Sequence, residues 1–396
     1  MRKSLTILFG TAVLALSCSK GDSVIEPAPE QEDWVYDESL PVPITIGQHT
    51  YDAVLTKAAP ITEETVEGTL FGVFGIDVGA EGDWSADAEQ VVIYDKYARF
   101  DTDRMQFVSE EGDVKYYYPM ITRYNYTFYG FHTDASRDLA QYRAAFKASW
   151  EGDALYAEFP MGPADILWAK ASAEDISGKY NPEDENDVTL SGFNARYARY
   201  CRRWGLSGKE PEFNFDHLTA ALHFWAVASD QDAETSIADK GVSIHSLRVV
   251  GVPSKARLCI AQRATQEGLF PDEGHLTAIG DLDSLSMQSA DSFSEENLGA
   301  VPTVSGNQIG AGLFIVPQDA AGITVSFTLQ EPSGLTNVYR QTIPAPSNGK
   351  FEAGKKYNFK IVVNSLEEIT IRAAVNGWED GFADLPGENP TVSEIE

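Results

Sequence analysis

From residue 322 to 330 the chain reads Gly-Ile-Thr-Val-Ser-Phe-Thr-Leu-Gln, with Ile323, Val325, Phe327 and Leu329 separated by Thr324, Ser326 and Thr328. Strand side chains point alternately to two faces, so this period of two specifies a strand with one face in a core and one in water. It recurs twice near the end of the chain. Tyr357, Phe359, Ile361 and Val363 alternate with Asn358, Lys360, Val362 and Asn364, and Ile369, Ile371, Ala373 and Val375 alternate with Thr370, Arg372, Ala374 and Asn376. Further strands are expected at 70–76, 114–118, 124–131, 222–227 and 242–250. Short strands parted by Gly, Pro and Asp turns, without alternating helices, predict an all-β chain of antiparallel β-sandwiches. One stretch departs from this period: Leu139, Tyr142, Phe146 and Trp150 recur at spacings of three and four, with Ser136 before them and Gly152 after. That spacing predicts one helix over 136–150, its aromatic stripe facing a core.

The chain opens with Met1, Arg2 and Lys3 followed by an apolar run that ends at Leu16, and then Ser17 and Cys18. A run of about a dozen residues has the length of a secretory signal and falls short of the roughly 20 needed to span a bilayer. Ser17-Cys18 resembles the lipobox of bacterial lipoproteins, although Leu14 lies one position further out than that pattern places it. The resemblance implies that Cys18 is acylated and becomes the mature N-terminus; the alternative is a cleaved signal followed by an unmodified cysteine. Residues 18–43, rich in acid, Pro and Ser, read as a tether between the anchor and the folded body.

Sixty Asp and Glu against 30 Lys and Arg give a net charge of -30 over 396 residues, a field that repels phosphate backbones and argues against nucleic-acid partners. The length suggests about two domains. The stretch 171–211 interrupts the strand signals with an acidic part, 182–187, and then a basic aromatic part, 196–204; the domain boundary is placed within it. The resulting divisions are a signal at 1–17, a tether at 18–43, an N-terminal domain at 44–200 and a C-terminal domain at 201–396. The basic part is expected to be a loop whose arginines pair with the protein's own carboxylates, the alternative being a docking patch or protease-accessible loop. Cys201 and Cys259 are more than fifty residues apart and do not amount to a disulfide framework; free buried thiols are the preferred reading, with pairing left open.

Standard catalytic patterns are missing: the sequence has no G-x-S-x-G, no G-x-x-x-x-G-K-[ST] and no H-E-x-x-H. The six histidines are scattered, and His217 and His223, the closest pair, read as structural residues rather than metal ligands. The carboxylate run at 183–187 lacks the Gly and terminal Glu of an EF-hand loop. No catalytic, cofactor-binding or metal-ligating residue is therefore assigned, and no enzyme is expected.

Several stretches together resemble the fimbrillin family of type V pilus subunits and related Bacteroidetes lipoproteins: Leu-Phe-Gly-Val-Phe-Gly-Ile at 70–76, Tyr-Tyr-Pro-Met at 117–120, Asp-Ile-Leu-Trp-Ala at 165–169, Phe-Asn-Phe-Asp-His-Leu at 213–218, Phe-Ile-Val-Pro-Gln at 314–318, Ala-Gly-Lys-Lys-Tyr at 353–357 and Val-Asn-Gly-Trp at 375–378. The resemblance implies two tandem transthyretin-like sandwiches, the helix belonging to the first, in an outer-membrane lipoprotein that assembles with other subunits into a surface fibre. In polymerising members a protease cuts after a basic residue near the first strand, and a strand from the next subunit fills the opened groove. The matching position here is Lys57-Ala58, where the family usually has Arg, so the expected first strand, 44–55, is either removed or retained. A retained strand would leave an anchor, a tip subunit or a monomeric surface lipoprotein. A second reading is an adhesin that binds glycans through exposed aromatics such as Trp84 or Trp204.

Overall fold

The structure, a computed structural model, describes residues 39–48, 54–55, 60–61, 69–82, 84–101, 104–120, 123–132, 139–140, 148–163, 165–176, 190–206, 209–263, 272–289, 294–364 and 369–377. All belong to the unit Asp37–Glu396. Three larger sheets account for most of these residues, and the architecture is the expected sandwich-like arrangement of mainly antiparallel strands.

The first sheet runs Glu212–Phe213, Ile46–Gln48, Arg104–Ser109, Val91–Asp101, Leu70–Ile76, Thr127–His132, Leu167–Ala171 and Asp216–His217, with Gly112–Asp113 paired to Arg104–Ser109. Its two central strands, Leu70–Ile76 and Thr127–His132, are buried at every position. Glycines make that double burial possible. Gly72 stands opposite Phe131 in register, and a Cβ on Gly72 would fall 1.9 Å from the Phe131 ring. On the other face a Cβ on Gly130 would fall 2.8 Å from the Phe213 ring. Phenylalanine rings therefore approach bare glycine backbone on both faces, a device that restores the packing a glycine forfeits.

The second sheet runs Thr336–Thr342, Thr324–Gln330, Ser243–Gln262, Ala154–Pro160 and Ala148–Glu151, with Leu276–Ser286 on the other side of Ser243–Gln262. The third runs Asn307–Gln308, Ala220–Ala228, Lys355–Val363 and Ile369–Gly377, with Leu313–Ile315 also paired to Ala220–Ala228. Period-two reading serves well here. Val325, Phe327 and Leu329 are buried, as are Tyr357, Phe359, Ile361 and Val363, and they join one continuous core with Leu222, Phe224 and Ala226. Residues 114–118 differ from expectation. They form no regular strand and meet the N-terminal segment through the Pro43–Tyr117 bridge.

The helix expected over 136–150 requires correction at its far end. Leu139 and Ala140 are helical, 133–138 and 141–147 lie outside the described residues, and Ala148–Glu151 is a strand. Gly152, at φ 60°, closes a two-residue turn that sets Glu151 opposite Ala154 and Trp150 opposite Leu155. A left-handed glycine serves a hairpin as well as a helix end, which is why the local pattern reads both ways. Trp150 packs on Trp84 with ring centroids 4.2 Å apart.

Two further helices, neither expected, are Ala195–Arg203 and Gln231–Lys240. The second is capped by the Asp230 carboxylate, which accepts from the Ala233 amide at 2.8 Å, and ends at Gly241 with φ 65°. The division expected between residues 200 and 201 falls inside the first helix, and strands on either side of it pair with one another, as in Ala154–Pro160 with Ser243–Gln262. Buried polar groups add ties across the same division. Glu273 accepts from the Tyr129 hydroxyl at 2.6 Å, the Gln262 amide at 3.1 Å and Lys170 Nζ at 2.5 Å. Asp165 accepts from the Ile166 amide at 2.7 Å and contacts the Thr219 hydroxyl and His217 Nδ1. His217 is thus tied into this buried network.

Two outcomes follow from this packing. Gly72→Ala should destabilise the protein by about 1–3 kcal/mol in chemical denaturation, because the added methyl meets the Phe131 ring, and Phe131→Leu in the same chain should recover part of the loss. His223 is buried beside Lys356, its Nε2 has no hydrogen-bond partner, and burial pushes its pKa down to about 3. The unfolded chain therefore binds a proton below about pH 6.5 that the folded chain refuses, so stability falls with acidification between the two pKa values. From pH 6.5 to 5 the wild-type chain should lose about 2 kcal/mol more than His223→Leu, and parallel curves for the two proteins would contradict this.

Candidate functional site

The first sheet contains a strand that arrives from the start of the chain. Ile46–Gln48 lies between Arg104–Ser109, antiparallel, and Glu212–Phe213, parallel, and is thus an internal strand. Its registers are Ile46 with Met105 and Gly47 with Arg104 on one side, and Gly47 with Glu212 and Gln48 with Phe213 on the other. The Gly47 amide donates to Pro211 O at 2.8 Å, Ile44 N to Tyr116 O at 2.9 Å, and Tyr118 N to Val42 O at 2.9 Å. Ile44 and Ile46 are buried. Backbone bonds of this kind read chain direction and register, while the two isoleucines supply the apolar content of the slot.

The helix Ala195–Arg203 closes one side. Asn194 caps it, accepting from the Tyr197 amide at 2.8 Å and donating through Nδ2 to Asn125 Oδ1 at 2.9 Å. At its end Gly205 adopts φ 59°, and the Leu206 amide donates to Cys201 O at 2.9 Å while the Gly205 amide donates to Arg202 O at 3.4 Å, a Schellman ending. Ala195, Tyr197, Tyr200 and Cys201 face inward. Arg199 is also buried, and its Nη2 donates to Leu40 O at 2.6 Å and lies 3.6 Å from Met120 Sδ. A helix side chain thus grips the main chain of the N-terminal segment where it enters the fold. A cavity of about 490 Å³ lies between this segment, the helix, Gly205, Leu206 and residues 209–211, with Val42, Pro43, Tyr118, Phe193 and Tyr197 among its walls.

The basic aromatic stretch at 196–204 is therefore a helix and its cap rather than a loop. The signals for it were present: an Asn cap, apolar residues at Tyr197, Tyr200, Cys201 and Trp204, and a glycine immediately beyond. Four arginines within the window obscured that stripe. Arg202 and Arg203, in the last turn, complement the helix dipole.

Burial removes acidity from the interior. It pushes the Cys201 thiol up to about 11 and the Cys259 thiol up to about 12, and it raises Tyr118 well above the ordinary tyrosine range. Both cysteines are buried and unpaired. Of the two aromatics considered for a glycan surface, Trp84 is buried under Trp150, which corrects that expectation, whereas Trp204 is 50% exposed. Among the described residues no group of three or more His, Cys, Asp or Glu side chains is placed to hold a metal ion, and no helix is long and apolar enough to cross a membrane.

Cys18 lies outside the described residues, as do Lys57 and Ala58 and the chain beyond residue 377. Only the flanks of the Lys57 position are described: Val54–Leu55 and Pro60–Ile61 pair antiparallel, Val54 with Ile61 and Leu55 with Pro60. The expected strand 44–55 is thus placed in the first sheet at 46–48, and its far end belongs to this separate pair.

Two outcomes test the site. Arg199→Ala leaves the Leu40 carbonyl without its charged donor, a loss of about 1–3 kcal/mol locally, so the amides of Ile44, Gly47 and Tyr118 should exchange with deuterium faster than those of the second sheet. In the native protein at about pH 8 both thiols should resist alkylation, and both should react on unfolding.

Comparison with known proteins bears on the whole chain. The family model described as fimbrillin-like matches residues 56–378. Among solved structures, a candidate cell adhesion protein from Bacteroides uniformis is 13% identical with a TM-score of 0.48, covering 86% of this chain and 100% of that one. A fimbrial protein from Bacteroides vulgatus is 12% identical with a TM-score of 0.43, covering 85% and 99%. The fimbrial anchor protein Mfa2 from Porphyromonas gingivalis is 8% identical with a TM-score of 0.32, covering 86% and 98%. No curated protein is significantly similar to the chain. On the family match, which spans most of its length, the chain belongs to the fimbrillin-like family.

Proposed function

We propose that the protein is a structural or accessory subunit of a cell-surface fimbria, exported as an outer-membrane lipoprotein through Cys18 and assembled by strand exchange with other fimbrial subunits. The observation that carries this reading is the internal slot holding Ile46–Gln48. A cut between Lys57 and Ala58 separates this strand from the rest of the sheet. Its departure unpairs Arg104–Ser109 and Glu212–Phe213 and uncovers the apolar ground beneath Ile44 and Ile46, and a strand from a neighbouring subunit restores both. The lipid on Cys18 leaves with the released segment in that case. In this reading the first sheet with its covering helix, and the second and third sheets together, are the two domains of the subunit.

A second reading is a monomeric surface lipoprotein or tip adhesin that binds glycans or host ligands. It rests on exposed Trp204, whose ring lies 5.4 Å from the Arg203 guanidinium. Neither reading calls for catalysis.

Mass spectrometry of protein recovered from the outer membrane and from sheared surface fibres separates the two. Fimbrial assembly predicts two populations, one beginning at acylated Cys18 and one at Ala58, with a ladder in mild detergent that Lys57→Ala abolishes. If every molecule begins at Cys18 and migrates as a monomer, strand exchange is wrong and the lipoprotein reading stands.

A further inference from the structure

The second sheet ends on Thr336–Thr342, and among the described residues no strand pairs with the far side of that strand. Which of its main-chain groups face outward is fixed by the hairpin that joins it to Thr324–Gln330. The register runs unbroken from Gln330 opposite Thr336 to Thr324 opposite Thr342. At the turn the Glu331 amide donates to Leu335 O at 2.9 Å, and at the other end the Ile343 amide donates to Ile323 O at 3.1 Å. Bonded pairs alternate with unbonded ones in an antiparallel ladder. Asn337, Tyr339 and Gln341 therefore direct their amides and carbonyls to Thr324–Gln330, whereas Thr336, Val338, Arg340 and Thr342 direct theirs to the open edge.

All four outward residues are exposed, Val338 at 70%. The Arg340 side chain donates through Nε to Thr324 Oγ1 at 3.2 Å within its own sheet, which leaves the Arg340 main chain to the edge. Natural edge strands are commonly blunted by charged side chains, Pro or a bulge. Apart from Arg340, the run Thr-Asn-Val-Tyr-Arg-Gln-Thr has none of these. It holds no acid in a chain with 60 Asp and Glu, so two such edges approach without opposing carboxylates. The strand Leu276–Ser286 of the same sheet is different, with Asp281, Asp283 and a slip in register.

We infer that Thr336–Thr342 pairs antiparallel with the same strand of a second copy, about a two-fold axis through Val338, so that two second sheets join into one. Under such an axis a strand edge is complementary to itself, because it offers the same outward donors and acceptors at the same spacing. Val338 meets its own counterpart and Thr336 meets Arg340, with about six main-chain hydrogen bonds across the contact. An axis through Tyr339 would instead set Arg340 opposite Val338 and make the two arginines diagonal neighbours about 7–8 Å apart. The Val338 axis places apolar on apolar and separates the arginines by about 13 Å along the strands. The contact is closed and yields pairs rather than rows. It uses neither the Lys57 cut nor the Ile46–Gln48 slot, so it goes beyond the fimbrial reading and does not depend on it.

The test uses the full chain carrying Lys57→Ala, which keeps strand exchange switched off, in sedimentation velocity over a concentration series. The chain should pass from monomer to dimer and no further, with little response to salt because the contact pairs no charges. Val338→Lys and Val338→Glu each set like charges opposite one another at an exposed position, and each should weaken dimerisation by about fivefold or more. An equimolar mixture of the two should dimerise, because opposite charges then meet, which also shows that both are folded. Hydrogen exchange gives a second readout. The amides of Val338 and Arg340 should exchange fast in the dilute monomer and slowly in the dimer, while that of Tyr339 should not change. A chain that stays monomeric across the series, dimers undiminished by either substitution, or a mixture that fails to restore them, overturns the inference. Val338 and Arg340 amides protected equally at every concentration overturn it as well, since another segment of the same chain then covers the edge. With Lys57→Ala in place the result is separate from the detergent-resistant ladder that tests strand exchange.

Discussion

The close approach of phenylalanine rings to glycine backbone in the first sheet is the constraint on which the rest depends. A sheet buried on one face needs only alternation, but this one is covered on both, by the helix side and by the second sheet. Gly72 admits Phe131 from one face and Gly130 admits Phe213 from the other. With side chains at these positions the rings would be displaced, and the layers they support would lift with them.

The internal place of Ile46–Gln48 follows from this layering. A strand from the chain start enters between Arg104–Ser109 and Glu212–Phe213, and the edge beyond it is only two residues long. Most of its attachment consists of backbone bonds plus two buried isoleucines, so any segment of the right length and polarity satisfies the same partners. Arg199 adds a grip on Leu40 O, just upstream of the slot. Such an arrangement is held by main-chain bonds on both sides and by Arg199 where the segment enters.

Electrostatics sort the molecule in a second way. Acid dominates the chain, yet its interior ionisable groups are satisfied in pairs or neutralised. Glu273 is matched to Lys170 and Tyr129, Asp165 to His217 and Thr219, and His223 is kept neutral by burial. The helix end at Arg202 and Arg203 is a local exception to the overall sign.

Much of the fold was legible without coordinates. Alternation at 323–329, 357–363 and 369–375 determines strands wherever one face is wet, because the period of two is itself the record of one-sided burial. The same reasoning favoured free thiols at Cys201 and Cys259 and structural roles for His217 and His223. It failed where a local signal serves two geometries. Gly152 closes a hairpin rather than a helix, and the stripe at 197–204 was masked by arginines. The candidate site was legible only in part, since apolar character around 44–46 was visible but its insertion between two distant strands was not. By itself the sequence determined an acidic, strand-built chain with a signal-like start and a family pattern. Tertiary structure alone decided that Trp84 is buried while Trp204 is exposed, and that the N-terminal strand is internal. Those outcomes depend on contacts between residues far apart in the chain, which no local period encodes.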